Sequence, residues 1–94
     1  MDEKILKILH GKLDEIFVKN DEIRKITDSV VDYQITYSLD SQSLWLGILI
    51  GRLYNSFYYQ HRRVLDRNPT NDEFLEFVDL IKSNQKNFQE KLGF

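Results

Sequence analysis

Residues 44–67 read LWLGILIGRLYNSFYYQHRRVLDR. The stretch contains no proline, is apolar at nearly every position as far as Ile50, and from Arg52 onward turns aromatic and arginine-rich. A helix that is apolar on all sides has to be covered on several of them, so this segment is read as the central helix of a helical bundle. It presents two seams. Leu46, Ile50, Leu53, Phe57 and Val64 line one, with Tyr54 and Leu65 beside them; Trp45, Leu49, Arg52, Ser56, Tyr59 and Arg63 line a second, roughly opposite. A helix in a three-helix bundle needs one broad apolar stripe, so the second, mixed seam is expected to meet something else.

Punctuation on both sides of the segment supports the helical reading. Ser38-Leu39-Asp40 reads as a turn, with Asp40 capping the central helix and Leu39 packing on Leu44 as a hydrophobic staple. At the far end Asn68-Pro69 should stop the helix, because a residue before proline avoids helical geometry. Thr70-Asn71-Asp72-Glu73 spells a capping box. It opens a last helix from about residue 71 to Leu92, with Phe74, Phe77, Val78, Ile81, Phe88 and Leu92 on one face and Gly93 as the left-handed stop.

Before the central helix, Ile5, Leu9, Leu13 and Ile16 recur at helical steps, as do Ile23, Ile26, Val30, Tyr33 and Tyr37. The two stripes are offset by roughly 80°, most of which the drift of about 20° per heptad in a continuous helix would supply. No glycine or proline forces a break, so residues 3–37 are read as one long helix. A break at Lys19-Asn20-Asp21 is the alternative. Short turns make neighbours antiparallel. The expected fold is an all-α, antiparallel up-down bundle of three long helices, four if the first breaks near Asn20, in a single domain covering residues 1–94.

Composition narrows the chemistry. A 94-residue chain makes one domain and buries roughly 60–65% of its unfolded surface. There is no cysteine, hence no disulfide and no thiolate metal site, which fits a cytoplasmic location. Charges interrupt the apolar pattern of MDEKILKILHGK, so it reads as an amphipathic helix and not as a signal peptide. The longest apolar run, Leu44–Ile50, falls far short of the roughly 20 residues that span a bilayer, and no membrane partner is expected. Net charge is −2. Residues 38–71 carry four basic and two acidic groups while both flanks are net acidic, which suggests an arginine-bearing helix held between two acidic ones.

No motif points to catalysis. The chain has no glycine-rich phosphate loop, nucleophile elbow or triad, and neither of its two histidines follows a glutamate by three residues as di-iron bundles require. No enzyme, cofactor or metal is expected. His61, near Phe57, Tyr58 and Val64, reads as a half-buried histidine bonded to a tyrosine or carboxylate; His10 sits at the edge of the first stripe. Glu73, Glu76 and Asp79, at three-residue steps, read as a solvated face able to pair with central-helix arginines. Gly47 and Gly51 form a GxxxG spacing that admits close approach of another helix, within the chain or from outside it.

The expected function is a small protein-protein interaction or assembly module that associates with itself, most simply as a homodimer, with another protein as the other possible partner. Trp45, Leu49, Arg52, Tyr59, Arg62 and Arg63 are the candidate partner-binding residues, since arginine and aromatics compose interface hot spots. Helix lengths support self-association. A first helix over residues 3–37 would reach about 52 Å and the last only about 33 Å, leaving apolar stripe for a second copy to cover. The alternative is a nucleic-acid-associated protein using the arginine–tyrosine surface, against which stand the net acidity and the lack of any recognised binding motif.

Overall fold

The computed structural model describes residues 1–32 and 40–94, and every described element is helical. The helices are α1 (Glu3–Val18), α2 (Asp21–Asp32), α3 (Ser41–Leu65), α4 (Asn71–Ser83) and α5 (Gln85–Leu92). α3 is the spine, packed against α1, α2 and α4, while α1 also meets α5. The arms alternate in direction. α1 runs antiparallel to α3 and parallel to the α4–α5 arm: its start meets α4 through the Met1 amino group and Glu76, its end meets α5 through Phe17 and Phe88. The fold is therefore all-α with an up-down-up plan, but both outer arms are broken.

The first break corrects the expectation of one continuous helix over 3–37. Asn20 causes it: its side-chain amide donates to the Ile16 carbonyl at 3.0 Å, taking the place a backbone N–H would hold, while its own carbonyl accepts from the Arg24 amide at 3.0 Å and starts α2. The break also absorbs the offset between the two stripes. In α2 the fully buried residue is Thr27, whose hydroxyl returns to the Ile23 carbonyl at 2.9 Å; Ile26, expected inside, is exposed. Tyr33, Tyr37 and the Leu39 staple lie outside the described residues. The length mismatch from which a second copy was inferred goes with the continuous helix.

The last arm breaks at Asn84 by similar chemistry. The Ser83 hydroxyl and the Asn84 side-chain amide both donate to the Leu80 carbonyl, at 3.0 and 2.9 Å, and the Asn84 carbonyl accepts from the Phe88 amide. Leu80, absent from the expected stripe, is in the core beside Phe77, Phe88 and Leu92; Phe74 is not. The other punctuation holds. Asp40 accepts from the Gln42 amide and the Ser43 hydroxyl, and Gly93 ends α5 at φ 77°. α3 stops at Leu65, three residues before Asn68, through a left-handed Asp66 whose amide still reaches the Arg62 carbonyl.

Core residues on α3 are Trp45, Leu49, Leu53, Phe57 and His61. Their four-residue spacing advances the buried line by about 40° at each step. The line begins where α2 and the C-terminus cover Trp45 and ends where α4 stacks Phe77 on Phe57, ring centroids 4.8 Å apart. This merges the two expected seams: Trp45 and Leu49 come from one, Leu53 and Phe57 from the other.

Candidate functional site

The six candidate partner-binding residues do not share a surface. Trp45 is 3% exposed and Leu49 is fully buried. The Trp45 indole lies between the Phe94 ring, 5.0 Å away, and the Arg24 guanidinium, 4.4 Å from its centre. The chain itself covers both residues, so the expectation that a partner would do so is corrected. Arg52 and Tyr59 are exposed and line a polar cleft of about 280 Å³ between α1 and α3, with Lys12, Glu15 and Ser56. Arg62 and Arg63 lie beyond them near the end of α3. The Arg62 Nε donates to Asn68 at 2.8 Å with its guanidinium over the Tyr58 ring, and the Arg63 Nε donates to Gln60 at 3.0 Å.

What lies open is the other seam. Ile50 and Tyr54, with Gly47 and Gly51, face a groove of about 540 Å³ whose far wall is Phe74, Phe77, Val78 and Ile81 of α4, with Lys82 at its rim. A second hollow of about 290 Å³ shares Ile50, Ile81 and Lys82 with it and continues toward Phe88 and Phe94. The groove exists because α3 turns glycine backbone toward α4. A Cβ built on Gly47 or Gly51 would meet nothing within 4 Å among the described residues. The glycines are therefore not the point of a close helix approach within the chain. The sequence carried the signal, a GxxxG spacing with Ile50 and Tyr54 alongside, but could not say whether the space was filled.

The opposite character appears at the α3–α4 joint. Glu73 is buried, not part of a solvated face, and is held from three directions. Arg67 donates to both its carboxylate oxygens at 2.7 and 3.2 Å, the Thr70 amide donates at 2.9 Å, and the His61 Nε2 lies 3.3 Å away. The capping box is complete, with the Glu73 amide donating to the Thr70 hydroxyl at 3.2 Å. The Arg67 hydrogen bonds, aided by Thr70 and His61 and opposed by burial, hold the Glu73 carboxyl at about 2. In return the same contact raises Arg67. Glu76 takes the Met1 amino group, and Asp79 is exposed. The acidic flank pairs not with an arginine on α3 but with Arg67, just past the helix end, at Arg67–Glu73.

Among the described residues no helix is long and apolar enough to cross a membrane, and no three His, Asp or Glu side chains converge as metal ligands. Compared with protein-family models, curated proteins and solved structures, the chain matches none.

Proposed function

We propose that this chain is an assembly module that acts by binding, and that it associates with a second copy of itself by seating a helix against the glycine floor of the α3–α4 groove. The observation carrying this reading is the open space above Gly47 and Gly51. Each glycine inside a helix costs about 1 kcal/mol relative to alanine, and no packing among the described residues offsets that cost. A helix arriving from outside would offset it, because glycine lets two backbones approach closely.

A second copy suits the groove because an isologous contact needs recess and protrusion on one patch. The glycine floor is the recess; Tyr54 and Phe74, 41% and 39% exposed on its walls, are the protrusions. The reading includes a cytoplasmic location, which rests on the absence of cysteine alone. Light scattering at micromolar concentration tests the proposal. The expected mass is twice 11.3 kDa, falling to 11.3 kDa in Gly51→Leu, whose side chain fills the groove from a position that is open in the single chain. A wild-type monomer, or a Gly51→Leu variant that still pairs, rejects it.

A further inference from the structure

Arg52, Ser56, Tyr59 and Gln60 share the side of α3 opposite the glycine groove. With Lys12 and Glu15 of α1 they enclose the cleft of about 280 Å³, and the core residues Ile16 and Leu53 form its floor. Its charges do not cancel. Lys12 and Glu15 neutralise each other at 3.6 Å. No ion pair among the described residues takes the Arg52 guanidinium. The cleft therefore keeps one positive charge, on the side chain whose planar fork of donors matches an oxyanion.

A second group in the cleft also lacks a partner. Gln60 is only 8% exposed, and its side-chain amide is held in one orientation. The Arg63 Nε–H can only donate, so the atom it meets at 3.0 Å is the amide oxygen. The Nε2 end is left with two hydrogens and no acceptor among the described residues. The side-chain atoms sealed from solvent without a partner belong to Trp45 and His61, so Gln60 Nε2 opens to the cleft that the residue lines. A nearly buried amide fixed by a neighbour, with its donors turned to a cavity beside an unpaired cation, is preorganised to receive an anion.

We propose that the α1–α3 cleft binds a nucleoside monophosphate. The Arg52 guanidinium, the Gln60 amide and the Ser56 hydroxyl donate to phosphate oxygens. Glu15 can only accept, which a bare phosphate would not use and the hydroxyls of a ribose do. Tyr59, exposed at the cleft, offers its ring face to the base. The volume lies at the small end of ligand sites, which run from about 300 to 1,000 Å³, so one nucleotide is accommodated and a dinucleotide is not. The cleft lies on the other side of α3 from the groove, so its test does not depend on whether the chain pairs.

The test is an NMR titration of the isotope-labelled chain with adenosine 5′-monophosphate, adenosine and inorganic phosphate. The monophosphate should shift the Lys12, Glu15, Arg52, Ser56 and Gln60 amides with a Kd below about 1 mM, and adenosine or phosphate alone should bind at least about tenfold more weakly. Arg52→Gln should weaken the monophosphate at least about tenfold, the loss of one hydrogen bond to a charged group. Gln60→Glu keeps the contact with Arg63 but sets a carboxylate where the amide donated, and should abolish binding. Arg62→Gln removes the same charge outside the cleft and should change nothing, which separates a site from general attraction. No shifts up to about 10 mM monophosphate, or inorganic phosphate binding as tightly as the monophosphate, overturns the proposal. So does binding that survives Arg52→Gln or falls equally in Arg62→Gln. Arg52 is exposed, so its variant keeps the test decisive even where Gln60→Glu does not fold.

Discussion

Replacing Gly47 and Gly51 by alanine should make the single chain more stable and the assembly weaker. Each alanine adds one methyl that meets nothing within 4 Å among the described residues, so no strain opposes it. Each removes the extra backbone freedom of glycine, worth about 0.8–1 kcal/mol in a helix interior. Together they should add about 2 kcal/mol. For a domain of this size that raises Tm by roughly 8–16 °C, at 4–8 °C per kcal/mol. The rise should be read by circular dichroism at a concentration dilute enough to hold the wild type as single chains. Light scattering at higher concentration should show association weakened at least about tenfold, because two methyls now stand where a partner backbone would lie. Gly11→Ala is the control: it is equally unobstructed but lies outside the groove, so it should stabilise without touching association. A Tm that fails to rise in the double variant would mean the glycine face is already occupied within the chain. Unchanged association would mean the groove is not the contact surface.

Other perturbations separate the remaining parts of the structure. Thr70→Ala removes the hydroxyl that accepts from the Glu73 amide and should cost about 0.5–2 kcal/mol in a chemical denaturation curve. Glu73 has its carboxyl depressed from 4.5 to about 2, so the stability it contributes is full above the higher value and is lost as pH falls toward the lower. That loss should amount to about 2 kcal/mol, less than the full shift implies because the Arg67 partner is 46% exposed and screened, and Glu73→Gln should flatten the acid limb of the curve. Tyr59→Ala and Arg63→Ala should leave the solution mass unchanged, since neither lines the groove. A labelled oligonucleotide should bind no tighter than about 10 μM near physiological salt; tight binding that weakens steeply with salt would restore the arginine–tyrosine surface as the functional one.

Features that one turn of chain determines were legible in the sequence. The Thr70–Glu73 box, the Asp40 cap and the Gly93 stop each depend on residues within four positions of one another. The break at Asn20 was legible only as the alternative to a continuous helix, because a lone asparagine serves equally well on a helix surface, and its bond back to the Ile16 carbonyl is seen only in the fold. Nor could composition decide which face of α3 turns inward. Trp45 and Leu49 are no more apolar than Leu46 and Ile50, and the choice is made by α2 and Phe94 arriving on one side. Glu73 was grouped with Glu76 and Asp79 by their regular spacing. Three-residue steps fall short of a turn by about 60° each, so Glu73 and Asp79 point about 120° apart and need not share an environment. The groove was half legible: the glycine spacing was visible, while the emptiness above it depends on where α4 stands.

The chain's single tryptophan reports on its own architecture. Trp45 is enclosed by a cation from α2 and a ring from the C-terminus, far along α3 from His61. Its buried indole should emit at short wavelength in the native state and shift red when α2 lifts away, whatever α4 is doing. His61, observed through its ring nitrogens, gives the corresponding reading for α4. Two intrinsic probes, one optical and one magnetic, thus sit at opposite ends of a single helix. They allow the release of each outer arm to be timed separately, with no label introduced.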